Sequence, residues 1–148
     1  MKRFTFPLES VRVLRQQKER AAQQRYAKAL AVCTKAETQL QNAAAELETG
    51  WSSLASELKT SVAASRLVHL RTWCTVLEIR WHERKAVLAE ARRVAELAFQ
   101  EMVAAMRAVS YTHLAYDLEV QREEQKNFDE MAVQSSESRG LLQFAGHE

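Results

Sequence analysis

The chain has 148 residues, with only three glycines, one proline and a formal net charge of +2. A sequence this poor in turn residues, with a 47% hydrophobic fraction dominated by alanine and leucine, excludes a strand-rich fold and points to long helices. The near-neutral charge argues against nucleic acid as the main partner, and two cysteines, Cys33 and Cys74, are too few for a disulfide framework or a cysteine-based metal centre.

The chain opens Met1-Lys2-Arg3-Phe4-Thr5-Phe6-Pro7, which is basic but lacks the apolar core of a signal peptide. No apolar run approaches the length of a membrane span. A cytoplasmic protein with no integral membrane segment is expected. Pro7 suits the first turn of a helix, where no N–H donor is needed. The first helix is predicted over about 7–58. Gly50 offers a competing bend, but one glycine inside a helix costs only about 1 kcal/mol relative to alanine. The polar cluster Lys59-Thr60-Ser61 places the bend at about 59–65, near Ser61 or Val62. The second helix is predicted over about 66–136, with Gly140 as a stop signal and a frayed tail over 137–148.

Spacing shows what the helices bury. Ala22, Tyr26, Ala29, Cys33, Ala36, Leu40, Ala43 and Leu47 alternate by four and three. Leu67, Leu70, Cys74, Leu77, Trp81, Arg84, Leu88, Ala91, Ala95, Ala98, Met102, Ala105 and Val109 do the same. An apolar repeat of 3.5 residues forms a seam that needs a partner helix. A hairpin supplies that partner within the chain. The expected fold is therefore all-α, a two-helix antiparallel coiled coil forming a helical hairpin rod, and a single domain over 1–148. A bend near residue 62 sets Trp51 level with Trp73 and Leu54 level with Leu70.

Charge fits this orientation. Between Ala36 and Leu58 the charged residues are Glu37, Glu46, Glu48 and Glu57, with no base. The facing stretch from Arg66 to Arg93 holds Arg66, Arg71, Arg80, Arg84, Lys85, Arg92 and Arg93 against Glu78, Glu83 and Glu90. Opposite charges flanking a seam set orientation, although exposed pairs add little stability one by one.

No constellation for catalysis stands out. His69, His82, His113 and His147 share no ligand spacing. His82-Glu83 begins like a zinc-protease helix, but Ala86 stands where the second histidine is needed. There is no Glu-x-x-His pair and no glycine-rich phosphate loop. Ser52 and Ser53 read as turn residues. No catalytic, cofactor-binding or metal-binding residue is therefore predicted, and no cofactor. Two apolar groups call for another account. Trp51, Trp73 and Trp81 gather toward the bend, where they either fill the seam or form a partner patch. Phe128 and Met131 fall beyond the level at which the first helix begins, and an unpaired apolar stripe suits a protein partner.

The two ends of the sequence resemble the FliJ family of flagellar export proteins. The opening Lys2-Arg3-Phe4-Thr5-Phe6-Pro7-Leu8-Glu9-Ser10-Val11, followed by Leu14-Arg15, is similar to that family's start. Glu123-Glu124-Gln125-Lys126-Asn127-Phe128-Asp129-Glu130-Met131-Ala132 is similar to its end. The tryptophan-rich region has no counterpart in the resemblance. The resemblance implies a non-enzymatic component of the flagellar type III export apparatus, a stalk-like antiparallel coiled coil. Its implied partners are the hexameric flagellar export ATPase, the membrane export gate and export chaperones. The implied location is peripheral, on the cytoplasmic face of the inner membrane at the flagellar base. Carried over residue by residue, the ATPase-facing set is Phe4, Leu8, Val11, Leu14, Arg15, Glu124, Gln125, Phe128 and Asp129. Trp51, Trp73 and Trp81 would then face other partners.

Other readings stay open on the sequence. An injectisome stalk protein shares the architecture. A coiled-coil scaffold would self-associate through its seam. The basic cluster Arg12, Arg15, Lys18, Arg20, Arg25 and Lys28 could bind phosphates, but the acidic end of the second helix can neutralise it.

Overall fold

A computed structural model describes residues 8–144, with side chains described over 8–137. Two long helices pack against each other, α1 over Leu8–Leu58 and α2 over Ala64–Phe144. No strand occurs among the described residues. The predicted first residue of α1, Pro7, lies outside them.

The link between the helices is short. Lys59 and Thr60 donate backbone N–H bonds to the carbonyls of Ser56 and Glu57, both at 3.2 Å, and tighten the end of α1. Arg66 and Leu67 donate to the carbonyl of Ala63 at 3.0 and 3.4 Å, which opens α2. Arg66 also pairs with Glu57 at 2.6 Å. A connection of this length makes consecutive helices neighbours. At the other end α2 differs from expectation: it runs through Gly140 to Phe144. A glycine stop works when the residue turns into the left-handed region, and no glycine among the described residues has positive φ.

The chain divides into two compact units. The first comprises Arg20–Ala104, the facing middle stretches of the two helices. Its partners descend along α2 as they ascend along α1: Arg25 with Glu101 at 3.8 Å, Glu37 with Arg92 at 3.2 Å, Glu46 with Arg80 at 3.2 Å. Arg84 donates to Gln39 Oε1 at 2.8 Å in the same order. Small side chains make up most of the core. Ala29, Cys33, Ala36, Leu88, Ala91 and Ala95 form one buried cluster, with Leu40 and Ala98 against it. Small residues let helix axes approach closely, so that even short side chains leave no gap. Both cysteines are free and buried.

Gly50 belongs to this core and does not bend α1. It is buried within the helix. A Cβ there would stand 2.9 Å from Leu77 Cδ1 and 3.4 Å from Cys74 Sγ. Its role is space: Leu77 and Cys74, at 3% and 0% exposure, occupy the room that a side chain would need.

The second unit comprises the two ends of the chain, Met1–Glu19 and Ala105–Glu148. Its one buried residue among the described residues is polar, Thr112.

Candidate functional site

In the terminal unit, α1 is tied to α2 by arginines. Arg15 Nη1 donates to the Ala108 carbonyl at 3.2 Å and to the Thr112 hydroxyl. Thr112 in turn donates to the Ala108 carbonyl at 2.8 Å. The buried hydroxyl is thus used as donor and acceptor, which removes the cost of burying it unpaired. Arg12 donates to Glu9 Oε1 at 2.6 Å, and its guanidinium lies 5.2 Å from the centre of the Tyr116 ring. A cation over an aromatic face is attracted by the ring quadrupole.

The sequence-predicted residues are therefore placed differently from one another. Arg15 faces α2 within the chain. Leu8 is half-buried, while Val11 and Leu14 are exposed. Glu124, Gln125, Phe128 and Asp129 are exposed and lie roughly two to four helical turns beyond Tyr116 along α2. Gln125 donates to Asp129 Oδ1 at 2.9 Å along the same helix. No ion pair or side-chain hydrogen bond among the described residues joins this group to Leu8–Arg15. Phe4 lies outside the described residues. Phe128 is 67% exposed and Met131 61%, and Leu118 and Val133 are exposed on the same helix. Large apolar groups left in water on one helix are a marker of partner binding.

The tryptophans do not fill the seam of the central unit. Trp51 and Trp73 are each about half exposed. Trp73 edges a groove that Gly50, Ser53, Leu70 and Leu77 also line. Trp81 is half-buried; Lys85 Nζ sits 4.6 Å from its ring centre and the His82 ring 4.9 Å away. The seam itself is filled by Cys74, Leu77 and Leu54.

Among the described residues, no group of three His, Cys, Asp or Glu side chains could hold a metal ion. No described helix is long and apolar enough to cross a membrane. The ionisable groups with clear shifts are Glu90 and Arg93, on one exposed face of α2. The hydrogen bond and charge of Arg93 hold the Glu90 carboxyl below its ordinary range, and Glu90 raises Arg93 in return. The pair lies 2.7 Å apart in the i, i+3 relation of a helix surface.

The polar lock between Arg15 and Thr112 was not anticipated from the sequence. Its one signal is spacing: Thr112 follows Val109 by three and so continues the seam of α2. Neither a protein-family model, nor a curated protein, nor a solved structure matches the chain.

Proposed function

We propose that this chain is an antiparallel coiled-coil hairpin of the FliJ type, a non-enzymatic component of flagellar type III export. It binds the hexameric export ATPase and couples it to the membrane export gate and to export chaperones. It works at the cytoplasmic face of the inner membrane. The resemblance of the two chain ends suggests the partner. The observation that carries the reading is the exposure of Phe128 and Met131 on α2, in the same compact unit as the exposed Leu14. These are apolar groups held on stiff helices and left for a partner to cover.

The mechanism is physical. An asymmetric helix pair that meets a symmetric ring touches its subunits unequally. It shifts the ring toward the subunit conformation that it contacts best, by the difference in contact free energy. Arg15 and Thr112 tie the start of α1, the stretch that carries Val11 and Leu14, to α2.

The test is ATP hydrolysis by the flagellar export ATPase with and without the chain. Hydrolysis should rise on addition. Leu14→Ser together with Phe128→Ser should remove the rise and weaken binding while far-UV circular dichroism is unchanged, because both side chains are exposed and cost little to replace. Binding that survives the double substitution would contradict the assignment of this surface.

A further inference from the structure

One side of the central unit carries an apolar window that the seam does not use. Val32 of α1 and Val87 and Val94 of α2 line one groove with Ala29 and Ala91. The groove continues past Val32 and Val94 to Leu97, Lys28, Arg25 and Glu101. Val32, Val87, Val94 and Leu97 are 56%, 48%, 45% and 48% exposed. The opposite side of the helix pair is bridged by the Glu37–Arg92 ion pair, between Leu30 and Cys33 on α1 and Ala95 and Glu96 on α2.

The two edges of this window carry opposite charge. Along α1 it is bordered by Arg25, Lys28 and, one turn beyond Val32, Lys35. Along α2 it is bordered by Glu90 and Glu101, at the same three-and-four spacing as Val87, Val94 and Leu97, and Glu90 is paired on its own helix with Arg93 at 2.7 Å. Lys28 and Lys35 have no ion pair among the described residues. Glu101 has only the long contact to Arg25 at 3.8 Å.

We propose that this window binds the same window of a second copy, with a two-fold axis parallel to the helices. Such an axis lays α1 of one protomer over α2 of its partner, so the basic edge of each copy meets the acidic edge of the other. The intrachain pairs Arg25–Glu101 and Glu37–Arg92 set the levels. At those levels Val32 of one copy meets Val94 of the other. Lys35 comes within about one turn of Glu90 of the other copy, and Arg25 and Lys28 meet Glu101 of the other copy. A two-fold axis across the helices would instead bring basic edge to basic edge and acidic to acidic, which costs free energy. Charge therefore selects both the occupant and its orientation: the surface is complementary to itself, as a closed two-fold interface requires. The product is a four-helix assembly in which each intrachain seam stays intact.

Sedimentation equilibrium of the full chain decides this. A species of about twice 16.9 kDa should form within the range up to about 100 μM, where weak interfaces associate. Val94→Glu should raise the dimer Kd at least about tenfold with unchanged helicity, since Val94 is exposed in the single copy. Lys35→Glu should also weaken the dimer, and adding Glu90→Lys should restore it, because the pair is re-formed with its signs exchanged. A chain that stays monomeric throughout would overturn the proposal. Self-association untouched by Val94→Glu would overturn it too, since it would then run through the seam. A dimer strengthened by Lys35→Glu would overturn the orientation.

Discussion

The central and terminal units are built from the same two helices but held together by different means. Every buried apolar residue among the described residues falls between Ala22 and Ala95, inside the Arg20–Ala104 unit. The terminal unit buries Thr112 and relies on Arg15 and Arg12 reaching to α2. Burial of apolar surface contributes most of the stability of a helix pair, whereas a hydrogen bond contributes about 1 kcal/mol net. The comparison teaches that a continuous helix need not be uniformly stable. The middle is a packed scaffold, and the ends should open more readily.

The largest expected effect breaks the packed side of this comparison. Leu88, 6% exposed in the buried cluster, should lose about 2–4 kcal/mol on substitution by alanine, as a core truncation does. Leu114→Ala in the terminal unit, where that leucine is exposed, should change stability by less than about 0.5 kcal/mol. Urea melts followed by circular dichroism give both values. Equal losses would mean that the two units are packed alike.

A smaller effect sharpens the polar side. Arg15→Met keeps the stem of the side chain but removes the donor to Thr112 and Ala108. It should cost about 1 kcal/mol, confined to the ends of the chain. Faster amide exchange over Leu8–Glu19 and Ala105–Tyr116, with no change at Cys33 or Leu88, is the expected pattern.

The smallest effect concerns Glu90. Its carboxyl is held below the ordinary value by Arg93. A lowered folded value means that the pair's contribution is present above the unfolded carboxylate range. It is lost as pH falls through the lowered value. Both groups are exposed, so the readout is the titration itself and not stability. A carboxyl NMR titration should show a depressed midpoint for Glu90 that returns to the ordinary value in Arg93→Met. An ordinary midpoint in the parent chain would show that the pair is not formed.

Much of the fold was legible in the spacing. The residues named from the alternation of four and three, from Ala22 to Leu47 and from Leu67 to Val109, are all buried or half-buried. The excess of acids on one stretch and bases on the other appears as the pairs Glu37–Arg92, Glu46–Arg80 and Glu57–Arg66. What the pattern could not show is how closely the helices approach. Gly50 reads as a breaker in one dimension, and only the nearness of Leu77 and Cys74 reveals it as a packing residue. Trp51 and Trp73 follow and precede the seam residues Gly50 and Cys74 by one position, and they stand about half exposed beside the seam. Arg15 looks like an outward charge in the sequence. Its direction depends on Thr112, 97 positions away.

Residue-resolved amide hydrogen exchange on the full chain tests the contrast between the units most directly. The slowest amides should lie between Ala22 and Leu54 and between Cys74 and Ala95. Exchange should be clearly faster over Leu8–Glu19 and from Ala105 onward. Uniform protection along both helices, or slowest exchange at the ends, would contradict a packed middle with openable ends.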